Sequence, residues 1–153
     1  ATPEEGQGIL ARLLDSGAAL AKMVQWFKAQ GGDPQVIDDP ELLPQPTTVV
    51  QVKASQPGYV TALNARELAL VVMALGAGRA TKDDPIDPTA GIVLAKKTGD
   101  YVETGEVLAT LQNRGTIDQD KVHRVERSFQ IGDRPGPKPL ILERIPANSN
   151  PSA

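Results

Sequence analysis

The residues best suited to chemistry lie in one segment, where two glycines are followed by two cations. Gly76 and Gly78 flank an alanine, and Arg79 and Lys82 come next. Glycine amides and cationic side chains can bind phosphate, but a phosphate loop opens a helix, whereas these glycines end one and Pro85 follows soon after. A glycine C-cap that runs into a solvated turn is the simpler interpretation. A functional cationic loop is the alternative.

Acidic and histidine side chains give no further site. Asp83, Asp84 and Asp87 lack the glycine and the distal Glu of a calcium-binding EF-hand loop, so their spacing favours turn formation. His123 is the single histidine, and the sequence places no triad or metal set around it. We therefore predict no metal site and no cofactor, and we place His123 on the surface of a helix.

The composition is that of a globular domain, or of a domain with a fragment of another. The 153 residues are 40% hydrophobic but only 3% aromatic, so Leu, Val, Ile and Ala must form the core. A net charge of −3 gives no reason to expect nucleic acid as a partner. No apolar stretch has membrane-spanning length, no signal-peptide pattern follows Ala1, and the chain has no cysteine. We expect a cytoplasmic protein that does not bind membranes.

The first third of the chain has the pattern of two helices. An apolar run ends at Asp15-Ser16-Gly17, and a second helix ends at Gly31-Gly32. The second helix has one apolar stripe, made of Leu20, Met23, Val24 and Phe27. Two helices cannot bury both their faces on each other, so residues 1–33 are predicted to be the end of a larger helical or α/β body. Residues 34–46, rich in proline, are predicted to be a connector.

Residues 47–146 change to strands, glycine turns and helices. A helix is expected over 65–75, with Asn64 as its N-cap and Gly76 as its end. A surface helix is expected over 116–128, with Phe129 closing its apolar stripe. The expected strands are 49–52 and 59–63, with a turn at Pro57-Gly58 between them, then 92–96, 107–111 and 140–145. The sum is an α+β domain, followed by a disordered tail over 147–153.

Four glycine-anchored phrases carry a family resemblance. They are Gln30-Gly31-Gly32-Asp33, Gly58-Tyr59-Val60, Gly76-Ala77-Gly78-Arg79, and Gly99-Asp100 followed by Gly105. In this order they resemble the C-terminal portion of the pyrimidine-nucleoside and thymidine phosphorylases. The likeness extends from Ser16 to about Ile145, and its first phrase is closer to the broad-specificity pyrimidine type.

This resemblance implies a fold and a place in a larger enzyme. The fold implied is a C-terminal domain of α/β-hammerhead, barrel-sandwich-like type, preceded by the terminal helices of the family's α/β domain. The complete enzyme would be a cytoplasmic homodimer that catalyses reversible phosphorolysis of pyrimidine nucleosides. Phosphate would attack C1′ of the sugar and the base would leave as an anion, a reaction that depends on positioning and charge stabilisation.

The same resemblance implies that this chain lacks the chemistry. The family holds phosphate with a glycine-rich loop bearing Lys, Ser and Thr, and holds the base with Arg, Ser and Lys. Neither motif occurs here, so we assign no catalytic residue and no substrate-binding residue. The chain is expected to be inactive alone, to need the missing N-terminal part of the same enzyme, and to act as a structural and closure domain.

A closure role would give the cationic segment a function. In the family the C-terminal domain forms one wall of a cleft that closes by rigid-body motion. The loop from Gly76 to Pro88 is then the candidate closure loop. Gly76 and Gly78 would give it freedom, while Arg79 and Lys82 would bridge to the opposite domain.

Two other function classes remain alternatives. Residues 91–111 look like half of a biotinyl or lipoyl carrier, which needs one lysine alone at a hairpin tip. Lys96-Lys97 precede the turn at Gly99-Asp100 instead, so we interpret this likeness as architectural. A free-standing interaction module would pack residues 1–33 fully against the chain's own sheet.

Overall fold

The structure is a computed structural model that describes residues 2–79 and 81–136, together with residues 139, 141, 143 and 145. Within these residues the chain forms five α-helices and six β-strands in a mixed α+β arrangement. The chain divides into two compact units, Ala1–Gln45 and Pro46–Ala153. None of the described helices is both long enough and apolar enough to cross a membrane.

The first unit is helical. It contains α1 (Pro3–Asp15), α2 (Ala18–Ala29), the short α3 (Gln35–Asp38) and a 3-10 turn, Pro40–Leu42. A capping box starts α1: the Thr2 hydroxyl accepts from the Glu5 amide at 3.2 Å, and the Thr2 amide donates to the Glu5 carboxylate at 2.8 Å. No residue of these helices is buried. The two predicted helices are present, and α3 lies within the segment predicted as a connector.

One sheet of the second unit is built around a central strand. Its members are β1 (Thr48–Lys53), β3 (Gly91–Leu94) and β5 (Val107–Asn113), in the order β1-β5-β3 with antiparallel pairing. The central strand β5 is paired on both sides, and three of its apolar residues are fully buried. Leu108, Ala109 and Leu111 have no exposed surface.

A second antiparallel sheet consists of β2 (Gly58–Leu63), β4 (Tyr101–Val102) and β6 (Phe129–Gly132), in the order β4-β2-β6. Tyr59 pairs with Tyr101, and Leu63 pairs with Phe129. The second sheet therefore joins parts of the chain that are far apart in sequence.

Two helices complete this unit, α4 (Ala65–Val72) and α5 (Gln119–Arg127). The predicted cap of α4 is confirmed, because the Asn64 side chain accepts from the Glu67 amide at 3.1 Å. The Glu67 carboxylate also receives Arg124 Nε at 2.6 Å, which links α4 to α5. The buried apolar side chains form one cluster, consisting of Val52, Ala54, Val60, Leu68, Val71, Leu75, Val102, Leu108, Ala109, Leu111, Val125 and Phe129.

Three expectations about this unit need correction or fall outside the description. The strands predicted before and after Pro57-Gly58 are present as β1 and β2, but Gly58 is the first residue of β2 and does not belong to the turn, and the two strands lie in different sheets. Phe129 begins β6 and does not close the stripe of α5, because it pairs with Leu63. Ile141 and Ile145 are exposed and lie outside any strand, while Leu140, Leu142 and the predicted disordered tail, 147–153, lie outside the described residues.

Candidate functional site

The candidate loop leaves α4 through a widened turn. After Val72 the chain makes a π-type turn over Met73–Ala77, and Gly76 interrupts it with φ +111°. A β-carbon on Gly76 would lie 3.3 Å from the β-carbon of Asp87, so both its backbone angle and its surroundings favour glycine. Gly78 follows in an extended conformation. The predicted helix end at Gly76 is confirmed, and the loop starts there.

Asp87 ties the far end of the loop to two neighbouring segments. Its Oδ1 accepts from the amide and the hydroxyl of Thr89 at 2.9 and 2.7 Å, and its Oδ2 accepts from the Arg114 amide at 2.9 Å. Its own amide donates to the carbonyl of Gly76 at 2.8 Å. The pKa of the Asp87 carboxyl is held below its ordinary value of 3.8, chiefly by the hydrogen bond from the Thr89 hydroxyl and then by those from the Arg114 and Thr89 amides.

Asn113 supplies a second tie from the end of β5. It is almost fully buried, its Nδ2 donates to the carbonyl of Leu75 at 3.2 Å, and its Oδ1 accepts from the Gly115 amide at 3.1 Å. The carbonyls of Leu75 and Gly76 both lie in the π-type turn that follows α4, where intrahelical donors run out. Asn113 and Asp87 satisfy them. We call Leu75, Gly76, Asp87, Thr89, Asn113 and Arg114 the loop-base cluster.

The two cations lie beyond this cluster. Arg79 and Lys82 are both exposed, and neither forms a salt bridge within the described ranges. Near them Asp84 closes a turn of its own, accepting from the Thr81 amide at 2.8 Å and the Thr81 hydroxyl at 2.6 Å. The structure thus brings Gly76 and Asp87 together and leaves Arg79 and Lys82 facing solvent.

The aspartates form turns, as predicted. Asp84 and Asp87 each bind amide and hydroxyl donors, while Asp83 is exposed. Among the described residues no set of three or more acidic, His or Cys side chains is arranged to hold a metal ion. His123 lies exposed on α5, where it lines an open groove of about 480 Å³ with Ser55, Glu126, Arg127 and Phe129.

The lysine pair does not have the geometry of a carrier lysine. Lys96 Nζ lies 2.5 Å from Glu106 Oε1, and this hydrogen bond lowers the pKa of the Glu106 carboxyl. The Lys97 amide donates to the Asp100 side chain at 2.7 Å within the turn that Gly99 allows. The flanking strands β3 and β4 belong to different sheets. Lys96-Lys97 therefore lie on a connection between sheets and not at a hairpin tip.

Sequence reasoning missed the residues that hold the loop. Asn113 follows an apolar strand, and Thr89 and Arg114 occur in ordinary polar stretches, so no local pattern marks them. It also missed an aromatic pair: the half-buried Tyr59 and the exposed Tyr101 are cross-strand neighbours with ring centroids 5.1 Å apart. The register of two distant strands creates that pair.

Comparison with known proteins gives these elements a context. Residues 59–132 match the family described as the pyrimidine nucleoside phosphorylase C-terminal domain. The chain is 48% identical over 145 residues to the pyrimidine-nucleoside phosphorylase of Staphylococcus aureus strain bovine RF122 / ET3-1, a match that covers 94% of the chain and 33% of the relative. The proteins of the same name from strains USA300 and NCTC 8325 / PS 47 are 47% identical over the same length. The chain thus spans about a third of the length of the curated relatives it matches.

Proposed function

We propose that the chain is the C-terminal part of a pyrimidine-nucleoside phosphorylase. It belongs to the family of the pyrimidine nucleoside phosphorylase C-terminal domain and is homologous to the C-terminal third of those enzymes. The complete enzyme would convert a pyrimidine nucleoside and phosphate reversibly into the free base and (deoxy)ribose 1-phosphate. The observation that carries this proposal is the 48% identity over nearly the whole chain. We propose a cytoplasmic homodimer as the complete form.

In this proposal the chain has a structural and closure role and is inactive alone. The absence from its sequence of a glycine-rich phosphate loop and of a base-binding set supports that division of labour. The helices α1 and α2 support an origin in the α/β domain, because they leave Leu10, Leu14 and Trp26 at least 60% exposed. Residues 47–146 would form the hammerhead-type domain, with 34–46 as the connector.

The loop from Gly76 to Pro88 would make the contact on closure. Its described base is fixed by Asp87 and Asn113, and its two cations are exposed and free of salt bridges within the described ranges. A cation on a fixed base can form an ion pair across a cleft with a small loss of conformational entropy. Arg79 and Lys82 would supply that pairing, and Gly76 and Gly78 the change of direction.

Uridine phosphorolysis tests the proposal. Uracil release would be measured for this chain alone and for a chimaera in which it replaces the final third of the S. aureus relative. We expect no release from the chain and clear release from the chimaera, with the relative truncated before that third as the control. Turnover by the chain alone would overturn its inactivity, and a folded chimaera without turnover would overturn its role in the enzyme.

A further inference from the structure

The loop-base cluster joins three segments that are distant in sequence. It holds the π-type turn after α4, the residues just before β3, and the turn after β5. Its centre is a carboxylate that accepts from three donors, two on Thr89 and one on Arg114. A carboxylate with its acceptor sites occupied in this way fixes the backbone of each donor relative to the others.

The cluster also sets where the loop begins and ends. The Gly76 carbonyl accepts from the Asp87 amide at 2.8 Å, and the Ala90 amide donates to the Asp87 carbonyl at 3.1 Å. Two members of the cluster are buried, since Thr89 is 3% exposed and Asn113 is 4% exposed, whereas Asp87 itself is half-buried. The two ends of the loop, at Gly76 and Asp87, are therefore held next to each other.

We propose that Asp87 is a positioning residue that holds both ends of the loop in register, so that Arg79 and Lys82 are presented together when the enzyme closes. This inference rests on the proposed function and adds a residue to it. Asp87 touches neither substrate in this scheme. It acts through the two cations, which lie on the described parts of the loop on either side of residue 80.

A double-mutant cycle in the chimaera separates positioning from a general structural role. Asp87→Ala is expected to lower kcat/KM on the order of tenfold, since misplaced groups far from the chemistry slow turnover strongly. In a chimaera that already carries Arg79→Ala and Lys82→Ala, the same change is expected to have no further effect. The matched control is Asp83→Ala, an exposed aspartate in the same loop, which is expected to leave kcat/KM unchanged.

The cycle has two outcomes that would overturn the proposal. An equal loss of kcat/KM on Asp87→Ala in both backgrounds would assign Asp87 to general stability. An active chimaera that is indifferent to the loss of Arg79 and Lys82 would remove the groups through which Asp87 is said to act.

A second measurement keeps the inference testable if the chimaera has no activity, a result that would count against the proposed function alone. Amide hydrogen exchange of the full chain would be followed at Asp87, Thr89 and Arg114. In Asp87→Ala we expect exchange at these amides to accelerate by about tenfold or more while the amides of β5 stay protected. Unchanged exchange at Thr89 and Arg114 would overturn the anchoring role itself.

Discussion

The helices of the first unit bury none of their residues, whereas the second unit encloses twelve apolar side chains in one core, counted over the described residues. Leu10 and Leu14 of α1 are 62% and 70% exposed, while Leu108 and Leu111 of β5 are fully buried. Burial of a leucine side chain contributes about 1.5–3 kcal/mol, so the second unit carries nearly all the hydrophobic stabilisation. The contrast shows which part of the chain is organised by its own core.

The largest expected effect comes from deleting the same side chain in each unit. Leu108→Ala should lower the free energy of unfolding by about 2–5 kcal/mol, because it leaves a cavity in the core. Leu14→Ala is the matched control and should change it by roughly 0.5 kcal/mol or less. Urea denaturation followed by circular dichroism measures both. Similar losses from the two variants would mean that the units do not differ in this way.

One glycine substitution in each unit tests the same contrast. In Gly58→Ala the new β-carbon would lie 2.9 Å from the Ile131 side chain and 3.1 Å from the Gly132 carbonyl, at a φ of +146°. We expect a loss of about 1–3 kcal/mol in the free energy of unfolding. Gly6→Ala in α1 meets open space and should add roughly 0.5–1 kcal/mol of helix stability. A neutral Gly58→Ala variant in the same urea titration would contradict the close approach of β2 and β6.

Helix caps give a smaller effect. Asn64→Ala removes the acceptor of the Glu67 amide in α4 and should cost about 1 kcal/mol of the stability of the second unit. Thr2→Ala removes the equivalent acceptor in α1, but no core depends on that helix. Its expected result is faster amide exchange within α1 and an unchanged unfolding transition of the second unit. A shift of that transition in Thr2→Ala would show that α1 supports the core.

Acid gives the most gradual effect. Hydrogen bonds hold the pKa values of Asp87, Glu106 and Asp118 below their ordinary values of 3.8, 4.5 and 3.8, so each group binds protons more weakly in the folded state than in the unfolded chain. Their stabilisation is complete above those ordinary values and is lost as pH falls through the lowered ones. Thermal melting at a series of pH values should show stability constant near neutrality and declining below about 4. A melting temperature that rises as the pH falls below about 4 would contradict this predicted loss of stability.

Local patterns predicted the elements that have local causes. The end of the helical segment at Gly76, the cap at Asn64 and the strands predicted over 49–52 and 59–63 each depend on residues within a few positions. The family resemblance came from the same local phrases, and the match over residues 59–132 confirms it. The exposed position of His123 also followed from the pattern of charges around it.

Long-range pairing could not be predicted from the sequence. Phe129 is four residues after Val125 and so fits a helical stripe, but its pairing with Leu63 places it in β6. The local pattern predicted the two strands on either side of the turn at Pro57-Gly58, but not that β1 pairs with β5 and β2 pairs with β4 and β6. The role of Asn113 has the same cause, since its partner Leu75 is supplied by the fold.

The pairing of Thr48 with Asn113 limits when the strands can pair during synthesis of the chain. During synthesis β1 has no complete partner until residue 113 has been made. β2 can pair with β4 earlier, but its pairing with β6 requires the residues up to Gly132. Closing such large loops is slow, so both nascent strands pass through a period with unpaired edges. A ribosome stalled before residue 113 should therefore display a chain that trigger-type chaperones or proteases can reach.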